Sequence, residues 1–284
     1  MSQIKFVIID VDGTLLASNQ KILPATKAAL MECQENGIRL ILASGRPTSG
    51  MARLVAELEM DKHHGLLVAY NGSKVIDCQT GEVLFNRPMS ESDAKAVLEH
   101  LKQFEVYPMV TKGSYLNVNN VYAPPIKYGD VEANIIEYEA RGGGYLLCEY
   151  PDLAEFVDFE PNKILVAGQP DYLAQYHEEM TAPFTDRVHG MFSAPFYFEY
   201  TARGVDKAKA LDTVLHKLGC NRDNLMAIGD GHNDISMLQY AGIGVAMGNA
   251  VPELKEIADY VTTSNDDNGV AKALRHFLPE CFGV

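Results

Sequence analysis

A short apolar run near the start of the chain ends in two acidic residues, and this feature constrains the fold most strongly. Residues 4–9 read IKFVII, and Asp10-Val11-Asp12-Gly13-Thr14 follows directly. A run that is apolar on both faces is typical of a strand in the middle of a parallel sheet. Carboxylates at the end of such a strand are costly to bury unless a cation or a proton neutralises them. The pattern therefore predicts a buried strand that ends in a charged functional site.

The composition is that of an ordinary globular protein, with 47% hydrophobic and 22% charged residues among 284. The formal net charge of −14 disfavours nucleic acid as a partner, because phosphate contacts need clustered Lys and Arg. The five cysteines include no C-x-x-C pair, which disfavours a disulfide scaffold or a zinc site and fits a reducing compartment. The sequence shows no signal-peptide pattern and no apolar stretch of the roughly 18 residues that span a membrane. We therefore expect a cytoplasmic protein with no membrane partner.

Alternation of strands and helices in the first and last parts of the chain predicts a doubly wound α/β fold. The predicted strands lie at 5–10, 38–43, 66–70, 225–229, 244–247 and 260–262. The predicted helices lie at 24–36, 48–58, 206–218, 233–240, 252–258 and 270–277, and a predicted hairpin has Thr80-Gly81 at its tip. Since alternating βαβ units build a parallel sheet covered by helices, we expect a Rossmann-like core.

The middle of the chain has a different pattern and predicts an inserted α+β domain at residues 87–200. Its predicted helices lie at 93–104, 130–139 and 172–180, and its predicted strands at 106–110, 115–119, 163–167 and 196–201. Residues 1–86 and 201–284 then form one discontinuous core domain.

Four polar clusters fall at the predicted ends of core strands or at the start of a helix. They are Asp10 with Asp12, Ser44-Gly45, Lys207, and the segment from Gly229 to Asp234. Ligands bind at the carboxyl ends of strands in open α/β sheets, so one shared site is expected. A carboxylate can attack phosphorus, and Mg²⁺ prefers carboxylate, water and phosphate oxygens. These residue types therefore predict phosphoryl transfer with Mg²⁺ as the cofactor.

These clusters resemble the four motifs of the haloacid dehalogenase superfamily. The segments Leu42-Ala43-Ser44-Gly45-Arg46-Pro47, Asn71-Gly72-Ser73 and GDGHNDISML from Gly229 resemble its Cof-type branch. That branch carries a large α+β cap between its second and third motifs, and the interval from Ser44 to Lys207 fits such a cap. The resemblance implies a phosphatase similar to bacterial sugar phosphatases, in which the cap selects a small phosphorylated metabolite. One departure is Asp206, where relatives often have Ser before the lysine.

The resemblance also implies a role for each motif residue. Asp10 would be the nucleophile and a metal ligand, and Asp12 the general acid and base with its carbonyl on the metal. Asp230 would be a second metal ligand, with Asp234 as a further acidic group on or beside the metal. The phosphate-binding residues would be Val11, Ser44, Gly45, Lys207 and Asn233. The candidates for the substrate side are Arg46, Asn71 and Gly72.

Two alternatives remain open at the level of sequence. A sugar phosphomutase uses the same core but returns the phosphate to a second hydroxyl group. A catalytically silent phosphate-sensing protein would keep the binding residues, although all four motifs are intact here. Arg46 either neutralises charge at the mouth of the site or pairs with a surface acid. The sequence does not define the substrate or the oligomeric state.

Overall fold

The computed structural model describes residues 4–129 and 131–283, in which we number sixteen β-strands and ten α-helices. In chain order the strands are β1 (Phe6–Asp10), β2 (Arg39–Ala43), β3 (Leu66–Ala69), β4 (Lys74–Asp77), β5 (Val83–Asn86), β6 (Tyr107–Lys112), β7 (Tyr115–Val118), β8 (Ile126–Tyr128), β9 (Val131–Ala133), β10 (Leu146–Glu149), β11 (Ile164–Ala167), β12 (Val188–Ala194), β13 (Tyr197–Ala202), β14 (Leu225–Gly229), β15 (Ile243–Ala246) and β16 (Tyr260–Val261). The helices are α1 (Pro24–Glu35), α2 (Thr48–Glu57), α3 (Glu91–Leu101), α4 (Ile135–Gly143), α5 (Leu153–Phe156), α6 (Pro170–Thr181), α7 (Lys207–Lys217), α8 (Ile235–Tyr240), α9 (Pro252–Ile257) and α10 (Gly269–Phe277).

The chain divides into two compact units. The first combines Met1–Asn86 with Asp206–Val284, and the second is Arg87–Val205. The sequence pattern put the second junction between residues 200 and 201. In the structure β13 continues to Ala202, which pairs with Val188 of β12, so the second unit extends beyond that point.

The first unit is built on an eight-stranded sheet in the order β16-β15-β14-β1-β2-β3-β4-β5. Strands β16 to β3 run parallel, and the hairpin β4–β5 adds two antiparallel strands at one edge. All five residues of β1 are buried, as expected for a central strand that is apolar on both faces. This arrangement confirms the predicted α/β fold with a parallel core.

The register of the sheet brings distant parts of the chain to one edge. Ile9 of β1 pairs with Ile228 of β14, and Asp10 pairs with Ala43 of β2. The strands β1, β2 and β14 therefore end side by side. The loops that follow them start next to one another, although almost 190 residues separate the ends of β2 and β14 along the chain.

The second unit contains a six-stranded sheet in the order β10-β7-β6-β11-β13-β12, and a separate two-stranded sheet of β8 and β9. Its apolar residues form two clusters, one with helices α3, α5 and α6 and the other with α4. The strands predicted at 106–110 and 115–119 are present as β6 and β7, which pair antiparallel. The α+β character expected for this part of the chain is therefore observed.

One predicted helix begins later than expected. The sequence pattern suggested a helix at 130–139, but residues 131–133 form β9 and the helix α4 begins at Ile135. Asn134 ends the strand and caps the helix, since its side chain accepts hydrogen bonds from the backbone N–H groups of Ile136 and Glu137. Asp130, the first residue of the predicted helix, lies outside the described residues.

Among residues 4–129 and 131–283, none of the helices combines the length and the apolar character needed to cross a membrane.

Candidate active site

Lys207 forms the centre of a buried charge cluster at the carboxyl end of β1. Its ammonium group donates hydrogen bonds to Asp10 Oδ1 and Asp234 Oδ1, each at 2.7 Å. The side chains of Lys207 and Asp234 are 1% and 0% exposed, so both ion pairs are shielded from solvent. Asp206 fixes the start of α7, because its side chain accepts a hydrogen bond from the N–H of Lys209. The start of α7 therefore positions Lys207 between the carboxyl groups of Asp10 and Asp234.

Asp234 also stabilises the loop after β14 through hydrogen bonds. Its second oxygen, Oδ2, accepts hydrogen bonds from the backbone N–H groups of Asp230 and Gly231, both at 3.0 Å. Gly229 allows this approach, since a Cβ there would lie 2.6 Å from Cβ of Asp234. Asp234 thus holds Lys207 with one oxygen and the loop with the other.

Asp230 contacts the first motif at Thr14 and Gly13. Its Oδ1 accepts a hydrogen bond of 2.6 Å from the hydroxyl of Thr14. Gly13 has a φ of +83°, and a Cβ at this position would lie 2.3 Å from Asp230 Oδ2. Glycine is therefore required here for both conformation and space.

Burial raises the pKa values of two carboxyl groups in this cluster, those of Asp10 and Asp230. Burial raises the pKa of Asp10 well above its usual range and Asp234 adds to the effect, while Lys207 opposes both. Burial also raises the pKa of Asp230 to about 6, against the hydrogen bond from Thr14. For Lys207, burial by itself lowers the pKa, but the attraction of Asp10 and Asp234 outweighs it and raises the pKa. Lys207 therefore keeps its charge between the carboxyl groups of Asp10 and Asp234.

The donor set of this cluster fits a Mg²⁺ ion. Carboxylate oxygens of Asp10, Asp230 and Asp234 lie within 4.8 Å of one another. Mg²⁺ selects oxygen ligands, and three carboxylates against one ammonium leave negative charge that a cation would balance. Because both oxygens of Asp234 already accept hydrogen bonds, Asp10 and Asp230 are better placed to bind a metal directly. The fourth predicted metal residue, Asp12, does not contribute its side chain to this group.

The side chain of Asp12 is held by Arg46 instead. The guanidinium donates from Nη2 to Asp12 Oδ1 at 2.6 Å and from Nε to Oδ2 at 2.9 Å. The two side chains are 31% and 48% exposed, so this pair lies at the surface of the site. Arg46 therefore pairs with an exposed acid of the first motif, and the same pair balances charge at the site, so the contact is compatible with both interpretations of this residue.

The predicted phosphate-binding residues lie in the loops around this cluster. Ser44 is 3% exposed and follows β2, and its hydroxyl accepts a hydrogen bond from the N–H of Arg46. A Cβ at Gly45 would lie 3.1 Å from the side-chain nitrogen of Asn71. Asn233 donates to Asn71 Oδ1 at 3.4 Å. Val11 is buried, and its carbonyl accepts a hydrogen bond from the N–H of Leu16.

Two residues with contacts in the site were not assigned roles from the sequence. Thr14 binds Asp230 and belongs to the first motif, so its position could have pointed to it. Asn249 follows β15 and donates from Nδ2 to the carbonyl of Gly13 at 2.8 Å. Functional residues often lie in the loops at the carboxyl ends of parallel strands. Because Asn249 follows β15, this general pattern could have indicated it.

Comparison with known proteins identifies the family. The sequence profile of the haloacid dehalogenase-like hydrolases matches residues 7–274. The 5-amino-6-(5-phospho-D-ribitylamino)uracil phosphatase YcsE of Bacillus subtilis (strain 168) is 31% identical over 275 residues, which cover 97% of this chain and 96% of that protein. The chain belongs to the haloacid dehalogenase-like hydrolases, as its four motifs indicated, and it is an enzyme of that class.

Solved structures support the same assignment. The crystal structure of a haloacid dehalogenase-like hydrolase from Bacteroides thetaiotaomicron matches with a TM-score of 0.89 at 31% identity, covering 97% of this chain and 100% of that one. BT1666 from the same organism, described among the phosphatases of this superfamily, matches with a TM-score of 0.78 at 26% identity, covering 97% and 95%. The likeness extends over both units of the chain.

Proposed function

We propose that this protein is a Mg²⁺-dependent phosphatase that hydrolyses small phosphorylated metabolites through an aspartyl-phosphate on Asp10. The observation that carries the proposal is the cluster of Asp10, Asp230 and Asp234, in which the buried Lys207 is hydrogen-bonded to Asp10 and Asp234. A buried ammonium next to a carboxylate supplies what phosphoryl transfer needs, namely a nucleophile and a positive charge beside it.

In the first step, a carboxylate oxygen of Asp10 attacks the phosphorus of the substrate. The bond between phosphorus and the ester oxygen breaks, and protonated Asp12 gives its proton to the departing alkoxide. General acid catalysis of this kind is typically worth about 10²–10⁴ in rate. The product of this step is an alcohol, and the phosphoryl group stays on Asp10.

In the second step, a water molecule attacks the phosphorus of the aspartyl-phosphate. Asp12, now a carboxylate, takes a proton from this water, the bond from phosphorus to Asp10 breaks, and inorganic phosphate leaves. Both residues return to their initial state. Between these two steps Asp12 is a carboxylate, and Arg46 would orient it there through its two hydrogen bonds.

The remaining site residues bind the phosphate and the metal. Lys207, Ser44, Asn233 and the backbone of Val11 and Gly45 would hold the phosphate oxygens. Mg²⁺, when bound by Asp10, Asp230 and the backbone carbonyl of Asp12, would screen the repulsion between the attacking carboxylate and the phosphate. Asp234 orients Lys207 and the loop that carries Asp230.

For the substrate we propose a small phosphate ester with a sugar-like leaving group. The relative YcsE is named for a compound whose phosphate sits on a ribityl chain, which supports a polyhydroxylated leaving group here. We assign catalysis to the unit of residues 1–86 and 206–284, and selection of the leaving group to the inserted unit at 87–205. The five free cysteines support a reducing, cytoplasmic location.

The test is release of inorganic phosphate from p-nitrophenyl phosphate and from a panel of sugar phosphates, with and without Mg²⁺. The proposal expects turnover with Mg²⁺, loss of turnover in EDTA, and recovery when Mg²⁺ is added back. An isomerised ester without net phosphate release would instead indicate a phosphomutase. Phosphate binding without any turnover would indicate a regulatory protein.

A further inference from the structure

A strained turn follows β3 at the edge of the site. Tyr70 and Asn71 have φ angles of +52° and +55°, so two consecutive residues with side chains adopt the left-handed conformation. Each such residue is less stable than in an ordinary conformation, and strain of this kind persists only where the surroundings hold it in place. The contacts of this turn identify what holds it.

The turn is hydrogen-bonded to the loop that carries Ser44. The N–H of Asn71 donates to the carbonyl of Ser44 at 3.0 Å, and the N–H of Tyr70 donates to the carbonyl of Arg46 at 3.1 Å. The N–H of Ser44 in turn donates to the carbonyl of Val68 in β3, at 2.9 Å. The loop after β2 is therefore fixed to β3 and to the turn on both sides of Gly45.

The same turn contacts two more of the predicted phosphate-binding segments. Asn71 Oδ1 accepts a hydrogen bond from Asn233 of the fourth motif. A Cβ at Gly72 would lie 2.6 Å from the carbonyl of Asp206 and 2.8 Å from the nitrogen of Lys207, so the turn packs directly on the start of α7. Three residues thus contact the segments that carry Ser44, Lys207 and Asn233.

We propose that Asn71 is a positioning residue for the phosphate-binding groups, and not a residue that contacts the substrate. This inference rests on the proposed function. Asn71 holds the left-handed turn, and the turn sets the distance between the Ser44 loop, the Asn233 loop and the start of α7. A phosphate bound by all three would lose affinity when the turn relaxes, even though Asn71 itself does not touch it.

Asn268 provides a matched control within the same unit. It has a φ of +57°, close to that of Asn71, but its side chain accepts a hydrogen bond from Thr26, and it occupies the position before α10 without a capping hydrogen bond from its side chain. Asn268→Ala therefore imposes the same left-handed strain on an alanine without changing a contact to the site. Asn71→Gly is the rescue variant, because glycine adopts this conformation readily and keeps the backbone hydrogen bonds.

The experiment measures binding of inorganic phosphate in the presence of Mg²⁺, together with KM and kcat for p-nitrophenyl phosphate. Asn71→Ala should raise the dissociation constant of phosphate about tenfold, the equivalent of about 1.4 kcal/mol, and raise KM similarly. Asn71→Gly and Asn268→Ala should stay within about threefold of the wild type, a difference of about 0.7 kcal/mol. Thermal midpoints of all variants show whether a loss of affinity accompanies a loss of stability.

Phosphate affinity in Asn71→Ala equal to that in Asn268→Ala would overturn the inference. If Asn71→Ala does not fold, Asn71→Ser replaces it, since Ser adopts the left-handed conformation less readily than Asn. Its phosphate affinity should fall about tenfold, and an unchanged affinity would contradict the inference. A wild-type protein that neither binds phosphate nor turns over any ester would instead refute the proposed function.

Discussion

Arg46 holds both carboxylate oxygens of Asp12, at 2.6 and 2.9 Å. A paired, fork-like contact of this kind fixes the orientation of a carboxylate as well as its charge. The proposed acid and base of the reaction therefore has a defined position before substrate arrives. The guanidinium must release one or both oxygens before Asp12 can donate a proton.

We predict that Arg46 acts on catalysis through Asp12. Arg46→Ala should lower kcat by about tenfold to a hundredfold, less than Asp12→Asn, since general acid–base catalysis is worth about 10²–10⁴. The double variant Asp12→Asn/Arg46→Ala should be no slower than Asp12→Asn alone, because residues that act as a unit are not additive. The rates of the four proteins with p-nitrophenyl phosphate provide the measurement. Additive losses would show that Arg46 has a role of its own.

Lys207 should stabilise the fold as well as bind phosphate. Lys207→Met leaves Asp10 and Asp234 buried without their partner, which typically costs about 3–5 kcal/mol. The free energy of unfolding in urea, measured in metal-free buffer, checks this expectation. Lys209→Met is the control, because Lys209 lies on the same helix but is exposed. Equal losses in the two variants would contradict the central place of Lys207 in the cluster.

Binding of Mg²⁺ should weaken as the pH falls through about 6. The pKa of Asp230 is raised to about 6 by burial, so the folded, metal-free protein binds a proton there more readily than an exposed carboxyl group does. A metal needs the carboxylate form, which is present above this pKa and lost below it. Calorimetric titration with Mg²⁺ should show a dissociation constant that rises by up to about tenfold for each pH unit below 6. An affinity that is constant from pH 7 to pH 5 would exclude Asp230 as a ligand.

Gly13 should be required for Mg²⁺ binding, whereas Gly37, which also has a positive φ, should not. Gly13→Ala brings a Cβ to within 2.3 Å of Asp230 Oδ2, whereas a Cβ at Gly37, which has nearly the same φ, meets nothing within 4 Å. Both variants impose about 1–2 kcal/mol of left-handed strain. Only Gly13→Ala should lower Mg²⁺ affinity, by at least about tenfold. Calorimetry on both variants tests this, and an equal affinity in the two would mean that the contact with Asp230 has no effect on the metal.

The central strands of the core sheet could be predicted from the sequence because they are apolar runs followed by polar residues. Phe6–Asp10 and Leu225–Gly229 are buried along their whole length, so the pattern and the burial agree. The second unit was harder to predict. Strand β12 (Val188–Ala194) contains His189 and Gly190 and lies at the edge of its sheet, so it lacks an apolar pattern. The three-residue strands β8 and β9 are too short to show a period.

The sequence predicted which residues meet, but not how they pair. The ends of β1, β2 and β14 adjoin as the parallel sheet requires, which brings Asp10 near Asp230. Nothing in the spacing of the motifs indicated that Lys207 would bridge Asp10 and Asp234. Such pairings depend on the path of loops, and Lys207 lies 197 positions from Asp10 and 27 positions from Asp234 along the chain.

The central claim is that Asp10 forms a covalent bond to phosphorus during turnover. The most direct test uses a phosphate ester labelled at phosphorus as the substrate and Asp12→Asn to slow the second step. The reaction is quenched during turnover, and peptide mapping locates the label. We predict that the label is found on Asp10 and that Asp10→Ala acquires none. A protein that turns over substrate without becoming labelled, or that carries the label on another residue, would contradict the account.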